Sequence, residues 1–201
     1  MKEISWEQAM ASFDIEAKAL QLTKEVTDKQ AFAAAVDRLS SAERIAASGC
    51  GHSGIACRHF AHSMCCIERP ARFISPAEAV HGATGFLKKG DVMVVASRGG
   101  KTAELMPIID ICRKKEVFVI AVTEDLQSPM AEQADLVLAM KVGRESDRYN
   151  SQGTSSFAAL SALFDALQVA VLEETDYQNE QFALIHPGGA VGERLNPSEK
   201  K

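Results

Sequence analysis

Two short loops in this sequence combine glycines with hydroxyl and basic side chains at spacings suited to phosphate binding. The first loop, GCGHSG at residues 49–54, satisfies the pattern G-x-G-x-x-G. The second, SRGGKT at residues 97–102, brings two hydroxyls and two cations around a pair of glycines. Glycine lets the backbone approach a ligand closely, and free amides at a helix N-terminus favour an anion. Both loops therefore predict a phosphate site.

The rest of the chain limits which phosphate these loops can bind. A dinucleotide loop calls for an acidic residue about 20 positions further on, and Ser75 occupies that place. An ATP-binding P-loop requires a further glycine where the chain has Val95. A single phosphomonoester fits the second loop better than either nucleotide. An ordinary strand-to-helix turn with a serine or threonine cap is the alternative interpretation.

Composition excludes several other classes of protein. With 201 residues and 46% hydrophobic content, the chain is long enough for one substantial core. The formal charge is -5, with acidic and basic residues interleaved, so no nucleic-acid partner is expected. No apolar run approaches the roughly 20 residues of a membrane span, and the N-terminus has no signal-peptide pattern. We predict a cytoplasmic protein without a membrane partner.

Cysteine and histidine placement does not predict a disulfide framework or a metal site. The five cysteines lack framework spacing and are interpreted as reduced and mostly buried. His59, His62 and Cys66 share one predicted helix face, but no fourth ligand lies in register, so packing and surface positions are the preferred interpretation. We expect no metal and no cofactor.

Buried strands alternate with helices along most of the chain, which indicates a parallel sheet covered on both faces. The sequence therefore predicts a doubly wound α/β fold with a mainly parallel five-stranded sheet, at residues 41–201, and an N-terminal helical arm at residues 1–40. Predicted strands span 44–48, 71–74, 91–96, 117–122 and 136–139; predicted helices span 5–25, 29–39, 52–66, 102–114, 128–133 and 155–174; predicted loops span 143–153 and 185–195.

Several segments together resemble the sugar isomerase (SIS) domain family, and within it the arabinose-5-phosphate isomerase subgroup. The similarity runs from about Ala33 to Leu195 and rests on the following segments: GCGHSG, PAEAVHGATG, VVASRGGKTAEL, VIAVTEDLQSPMAEQAD, KVGRES and FALIHPGGAVGERL. The resemblance implies a phosphosugar ligand at the two loops. It also implies an intramolecular isomerisation between an aldose phosphate and a ketose phosphate.

The resemblance also suggests which residues act. Catalytic candidates are Glu104, Glu145, His186 and His52, because an enediol mechanism needs a base between adjacent carbons and a group that opens the sugar ring. His186 is the preferred group for ring opening. The candidate substrate-binding residues, with the hydroxyls of Ser53, Ser97 and Thr102 on the phosphate, are Gly51, Ser53, His81, Ser97, Arg98, Gly99, Gly100, Lys101 and Thr102.

Four departures from the subgroup keep alternatives open. His52 stands where the subgroup usually has lysine, and in the second loop Gly99 and Lys101 replace a serine and an acid. The segment YNSQG stands where the relatives carry an APTSS-like stretch, and these 201 residues show no CBS modules. A non-catalytic sugar-phosphate-binding regulator and a hexulose-phosphate isomerase are therefore alternatives. The apolar stripe of the arm, from Trp6 through Phe13 to Leu20, predicts a homo-oligomer, with a tetramer preferred.

Overall fold

The computed structural model describes residues 1–196, which form nine α-helices and five β-strands. The helices are α1 (Glu3–Val26), α2 (Lys29–Ser41), α3 (Gly51–Cys66), α4 (Pro76–Ala79), α5 (Met106–Lys114), α6 (Pro129–Gln133), α7 (Ser155–Glu174), α8 (Asn179–Ile185) and α9 (Gly189–Leu195). The strands are β1 (Ile45–Gly49), β2 (Ala71–Phe73), β3 (Val92–Ala96), β4 (Phe118–Thr123) and β5 (Leu136–Ala139). Two 3-10 helices span Ala83–Phe86 and Ala103–Leu105.

All five strands are parallel and lie in the order β2-β1-β3-β4-β5. This topology confirms the predicted doubly wound fold. From β1 the chain passes to β2 on one side, and then to β3 on the other side. The switch point therefore lies between β1 and β3, where ligands collect in open α/β sheets. Gly49 is paired with Ala96, so both glycine loops leave the sheet at the same level of this edge.

The sheet is covered on both faces, as the apolar character of its strands predicts. Every residue of β1 and β3 is buried. One core lies beneath α1, α2, α3 and α7, and includes the stacked rings of Phe60 and Phe164. The other core lies on the opposite face, beneath α4, α5 and α6, and includes Ile108 and Met130. The helix that follows each glycine loop, α3 or α5, is therefore held in position by its packing on one face of the sheet.

Helix α7 corrects one expectation from composition. It is long and apolar enough to cross a membrane, with a mean hydropathy of 1.6, so the statement that no run approaches a span is wrong. The helix packs against α1, α2 and α3, and its residues Leu160, Phe164 and Leu167 are buried in the core. Its apolar character is explained by this packing.

The structure also differs from the sequence expectations after β3 and near the C-terminus. The predicted helix 102–114 begins as the 3-10 helix Ala103–Leu105 and becomes α-helical at Met106, one residue before Pro107. Proline is favoured at such a position because it has no amide to contribute. The predicted loop 185–195 is wrong over most of its length, because α9 begins at Gly189. Helices α4 and α8 were not predicted.

Helix α1 of the arm buries little of its own surface. Ala19 and Thr23 are buried, and the Thr23 hydroxyl donates to the Lys141 carbonyl over 2.9 Å. Trp6 and Phe13, by contrast, are 54% and 69% exposed. Helix α2 contributes three buried residues to the core, so only the first half of α1 projects from the packed layers. The boundary near residue 40 stays a prediction.

Candidate active site

A cleft of about 440 Å³ opens at the switch point, between the β1–α3 loop, the end of β2 and the start of the 3-10 helix after β3. Its floor is the GCGHSG loop. Gly54 packs so closely on this loop that a Cβ there would lie 2.5 Å from the Gly49 carbonyl oxygen. Gly51 has φ of +54°, in the left-handed region that favours glycine. These glycines place the first amides of α3 and the half-buried Ser53 at the sheet edge.

The SRGGKT loop, which leaves the sheet at the same edge, has the features of an anion cradle. The hydroxyls of Ser97 and Thr102 lie 2.8 Å apart, and Ser97 is only 8% exposed. Thr102 precedes the 3-10 helix without capping it through its side chain. The amides of Gly99, Lys101 and Thr102 make no hydrogen bond within residues 1–196. Two hydroxyls and three amides at one turn suit the oxygens of a phosphate.

Gly100 fixes the shape of this loop. Its φ is +61°, and a Cβ there would lie 2.0 Å from the Ser128 hydroxyl. Its amide donates to the Ser97 carbonyl, and its own carbonyl accepts from the Met130 amide. The loop is therefore held on α6, and a side chain at position 100 is sterically excluded.

The Arg98 side chain bridges two carboxylates. Its Nε donates to Glu124 over 2.7 Å and its Nη1 donates to Glu145 over 2.8 Å. Burial opposes the charge of Arg98, but the hydrogen bonds and charges of the two glutamates raise its pKa above the ordinary value. The guanidinium ties the loop after β3 to the ends of β4 and β5.

Glu145 is buried beneath this bridge, at 3% exposure. Its Oε1 accepts from Arg98, while its Oε2 accepts from the amides of Thr154 and Ser156 and from the Thr154 hydroxyl. Burial alone would raise the pKa of Glu145. The bonds from Ser156 and Thr154, with the charge of Arg98, outweigh burial and lower it. Glu145 thus supplies the anion at the N-terminus of α7.

Lys101 lies at the mouth of the same loop. Its Nζ is 3.1 Å from Asp125, and this contact, with the Gln127 amide, lowers the pKa of Asp125 below its usual value. The Lys101 side chain is 69% exposed, so the ion pair is open to solvent and contributes little stability. The ammonium can leave Asp125 at small cost and reach an anion at the loop.

Glu104 is placed differently from Glu145. It lines the cleft, is exposed, and its carboxylate makes no ion pair or hydrogen bond with another described residue. Burial, and then the negative charge of Glu104, raise the pKa of the Cys50 thiol, which lines the same cleft. The Glu104 carboxylate therefore has no ion-pair or hydrogen-bond partner among the described residues, in a cleft whose floor is the first loop.

His52 lies beside the cleft rather than on its wall. Its ring contacts the loop before α7, since a Cβ on Gly153 would lie 2.9 Å from Nδ1, and its centroid lies 6.3 Å from that of Phe157. His81 follows α4 in an exposed turn, where its amide donates to the Glu78 carbonyl. Neither histidine lines the cleft within this chain.

His186 lies far from the cleft within one chain. It follows α8, with its ring 5.0 Å from that of Phe182. Phe182 lines a separate cavity with Cys66 and Ile67, at the C-terminal end of α3. The cleft is at the other end of α3, and 16 residues at 1.5 Å each separate the two ends by about 24 Å. The His186 Nδ1 is buried without a hydrogen-bond partner in residues 1–196.

The histidines and cysteines of α3 make pairwise contacts. His59 is 2.7 Å from Asp165, and Cys66 Sγ is 3.7 Å from His62 Nε2. In the described part of the chain, no group of three or more His, Cys, Asp or Glu side chains is placed to hold a metal ion.

Sequence reasoning missed two residues that define the cleft and its support. Arg58 lines the cleft with its guanidinium carbon 4.1 Å above the Phe73 ring, and Glu124 holds Arg98. Arg58 follows Gly54 by four residues, so helical spacing places both on the face toward β2. That spacing was the available signal for Arg58. No sequence pattern indicated Glu124, because its partner Arg98 is distant in the sequence.

The chain is a doubly wound parallel α/β domain with two glycine loops at its switch point, where ligands bind in such folds. The sequence profile of the SIS domain family matches residues 38–170. This match covers most of the chain, and the chain belongs to that family.

Individual relatives agree with this family. Arabinose 5-phosphate isomerase KdsD of Pseudomonas aeruginosa is 36% identical over 157 residues, 78% of this chain and 48% of that protein. The Escherichia coli K12 KdsD is 35% identical over 152 residues, 76% of this chain and 46% of that protein. The chain therefore spans about half the length of the curated relatives it matches.

Solved structures match over almost the whole chain. A Listeria monocytogenes protein, whose assignment as a sugar-phosphate isomerase is provisional, has a TM-score of 0.90 and 37% identity, covering 94% of this chain and 100% of that one. An Escherichia coli CFT073 protein in complex with a phosphosugar has a TM-score of 0.86 and 26% identity, covering 93% and 100%.

Proposed function

We propose that this protein is a phosphosugar isomerase that interconverts an aldose phosphate and a ketose phosphate. The observation that carries the proposal is the placement of Glu104, a carboxylate without a protein partner, in the cleft close after an anion cradle. An isomerisation through an enediol requires a base beside the reacting carbons and a fixed position for the rest of the substrate. The cleft has room for both.

The phosphate is assigned to the loop from Ser97 to Thr102. The paired hydroxyls and the free amides of that loop supply neutral donors, and Lys101 supplies a movable charge. Ser53 and the first amides of α3 face the same edge and complete the cradle. Arg98 is assigned to holding the loop in place, because both carboxylate partners already occupy its guanidinium.

Glu104 is the proposed base that moves the proton between adjacent carbons. Its negative charge is opposed by no described cation within ion-pair distance, so its carboxylate is free to accept a proton. The contacts of Glu145 favour a positioning role, because both its oxygens are already bonded and its pKa is lowered. His186 is proposed for ring opening, in a site formed with a second copy of the chain.

The relatives supply a substrate class for this proposal. Two curated relatives are named arabinose 5-phosphate isomerase, and one solved neighbour holds a phosphosugar. A pentose 5-phosphate is therefore the first substrate to test. The departures at Gly99, Lys101 and His52 lie around the proposed phosphate position and the neighbouring helix start, so hexose and heptose phosphates belong in the same panel.

Exchange of substrate hydrogen with deuterated water tests the proposal directly. We expect the wild-type protein to exchange the hydrogen at C2 of at least one aldose phosphate of the panel. Glu104→Gln should lower this exchange by about two to four powers of ten while leaving phosphosugar binding intact. Glu132→Gln, on α6 and away from the cleft, is the matched control. Binding without exchange for every sugar would refute the isomerase assignment.

A non-catalytic sugar-phosphate sensor is the second candidate. It is favoured by the distance of His186 from the cleft and by the altered phosphate loop. A sensor should bind a phosphosugar with unchanged affinity after Glu104→Gln and show no exchange in the wild type. The same experiment therefore separates the two functions.

A further inference from the structure

The cleft contains a second charged group that the proposed reaction has not used. Arg58 lines it, and among the described residues that do so it is the one cation, as Glu104 is the one anion. Its guanidinium lies 4.1 Å above the Phe73 ring and makes no hydrogen bond or ion pair with another residue of the described chain. Guanidinium N–H groups form strong, charge-assisted hydrogen bonds, so an unpaired arginine in a cleft has donors available for a ligand.

Phe73 holds this guanidinium in place. Stacking on an aromatic face restricts the long arginine side chain and leaves its N–H groups directed at other acceptors. Helix α3 supplies Arg58 one turn beyond Gly54, and β2 supplies Phe73 across the cleft. Arg58 therefore lies on the β2 side of the cleft, whereas the phosphate loop follows β3 on the other side of β1.

We propose that Arg58 is a further catalytic residue, which binds the carbonyl end of the open-chain sugar and stabilises the negative charge that forms on its oxygen. This inference rests on the proposed isomerase function. Glu104 follows the Ser97–Thr102 loop and lines the same cleft as Arg58. A substrate whose phosphate lies at that loop and whose reacting carbons lie at Glu104 therefore extends its far end toward Arg58. A fixed cation at the developing oxyanion is a large source of rate enhancement.

The step balances without another reactant. Glu104 takes the proton from C2, the C–H electron pair forms the C1=C2 double bond, and the carbonyl π pair moves to O1. Arg58 donates hydrogen bonds to that anionic oxygen. The proton on O2 then passes to O1, C2=O forms, and Glu104 returns its proton to C1. No oxidant, reductant or metal enters the step.

Two stable ligands test this assignment. D-arabinitol 5-phosphate has the phosphate and hydroxyls without a charged end, whereas D-arabinonate 5-phosphate carries a carboxylate where the enediolate charge would be. Calorimetry should show that the wild type prefers the aldonate. Arg58→Met should weaken aldonate binding by about ten- to hundredfold, the range for a charged hydrogen bond, and change alditol binding little. The aldonate affinity of Arg58→Lys should lie between those of the wild type and Arg58→Met, because lysine keeps the charge but lacks the planar guanidinium.

Arg38→Met is the matched control, since Arg38 also lies over a phenylalanine, Phe118 at 4.4 Å, and does not line the cleft. It should bind both ligands as the wild type does. Equal melting temperatures by circular dichroism should show that each variant folds.

Each other outcome has a distinct meaning. Retention of the aldonate preference by Arg58→Met, or its absence in the wild type, would overturn the role of Arg58 and leave the phosphate site intact. Failure of the wild type to bind either ligand would overturn the phosphosugar site and this assignment together. Preference for the aldonate without hydrogen exchange in the wild type would overturn both the isomerase function and the catalytic role of Arg58.

Discussion

At the level of single residues, Glu104 and Glu145 are both catalytic candidates from the sequence, but their surroundings in the structure differ. Glu104 is exposed in the cleft without a partner among the described residues, whereas Glu145 is buried and bonded at both oxygens. The two carboxylates differ because the amides at the start of α7 donate to Glu145, whereas Glu104 is exposed to solvent. Glu104 is the carboxylate that we propose as the base, and Glu145 is held as a structural anion.

Thr102→Val tests the anion cradle at this scale. The substitution keeps the shape of the side chain and removes the hydroxyl that pairs with Ser97. We expect the affinity for every phosphosugar to fall by about 1 to 3 kcal/mol, the cost of leaving a polar partner unpaired. Calorimetry measures the change, and Thr102→Ser should retain most of the affinity. Unchanged affinity in the valine variant would remove Thr102 from the site.

The ion-pair bridge connects whole elements. Arg98 belongs to the loop after β3, Glu124 follows β4, and Glu145 lies between β5 and α7. The Glu124 carboxylate also accepts from the Val142 amide, so the bridge spans three connections of the sheet. Because it is partly buried, its charges are screened less than those of a surface pair. It sets the position of the phosphate loop relative to α7.

Glu145→Gln tests this bridge through stability. In the wild type, Arg98 donates to one oxygen of Glu145 and the α7 amides donate to the other. The side-chain amide of glutamine has only one oxygen, so its NH2 group must face one of these donors. We expect the free energy of unfolding, measured by thermal or chemical denaturation, to fall by on the order of 2 kcal/mol at neutral pH. Glu7→Gln, at an exposed position of α1, is the control and should melt as the wild type does.

We also expect the difference in stability between the wild type and Glu145→Gln to depend on pH. The folded-state pKa of Glu145 is lowered, so its stabilising contribution is complete above the pKa of the unfolded chain and is lost as pH falls toward the folded value. The difference in melting temperature between wild type and Glu145→Gln should be largest above about pH 5 and narrow at lower pH. A difference that stays constant down to about pH 3 would contradict the bridge as a charged contact.

At the scale of the molecule, the exposed half of α1 and the position of His186 both point to association between copies. Trp6, Met10 and Phe13 follow helical spacing and lie outside the core. Apolar surface of this kind is typical of an interface. We propose that His186 serves the cleft of another copy, because the cleft of its own chain lies at the far end of α3. Cytoplasmic location and tetrameric state stay predictions.

Mixing two inactive variants tests the shared site. If the site combines Glu104 of one copy with His186 of another, hetero-oligomers of Glu104→Gln and His186→Asn contain some sites with both native residues. Activity should reappear after the two are co-refolded. A mixture of Glu104→Gln with Glu104→Ala is the control and should stay inactive. A monomer by light scattering at micromolar concentration, or no recovery in the mixture, would count against a site between copies.

The five strands, both glycine loops and the place of those loops at one edge of the sheet could be predicted from the amino-acid sequence. Buried strands, their alternation with helices and the resulting parallel pairing depend on local pattern. The five predicted strands agree with the structure to within one residue at each end. Glycines 49, 54 and 100 belong to this group as well, because their loops require close approach wherever the chain continues.

Which charged residues are free of protein partners depends on the packing of distant segments and could not be predicted. Arg98 and Lys101 have the same sign in one loop, yet one is bound by two glutamates and the other by a single aspartate at the surface. Arg58 and Glu104 stand 46 positions apart and line the same cleft, and His186 lies away from it. Charge is a property of a residue, but its availability depends on neighbours brought together by the sheet order, and no local pattern encodes those neighbours.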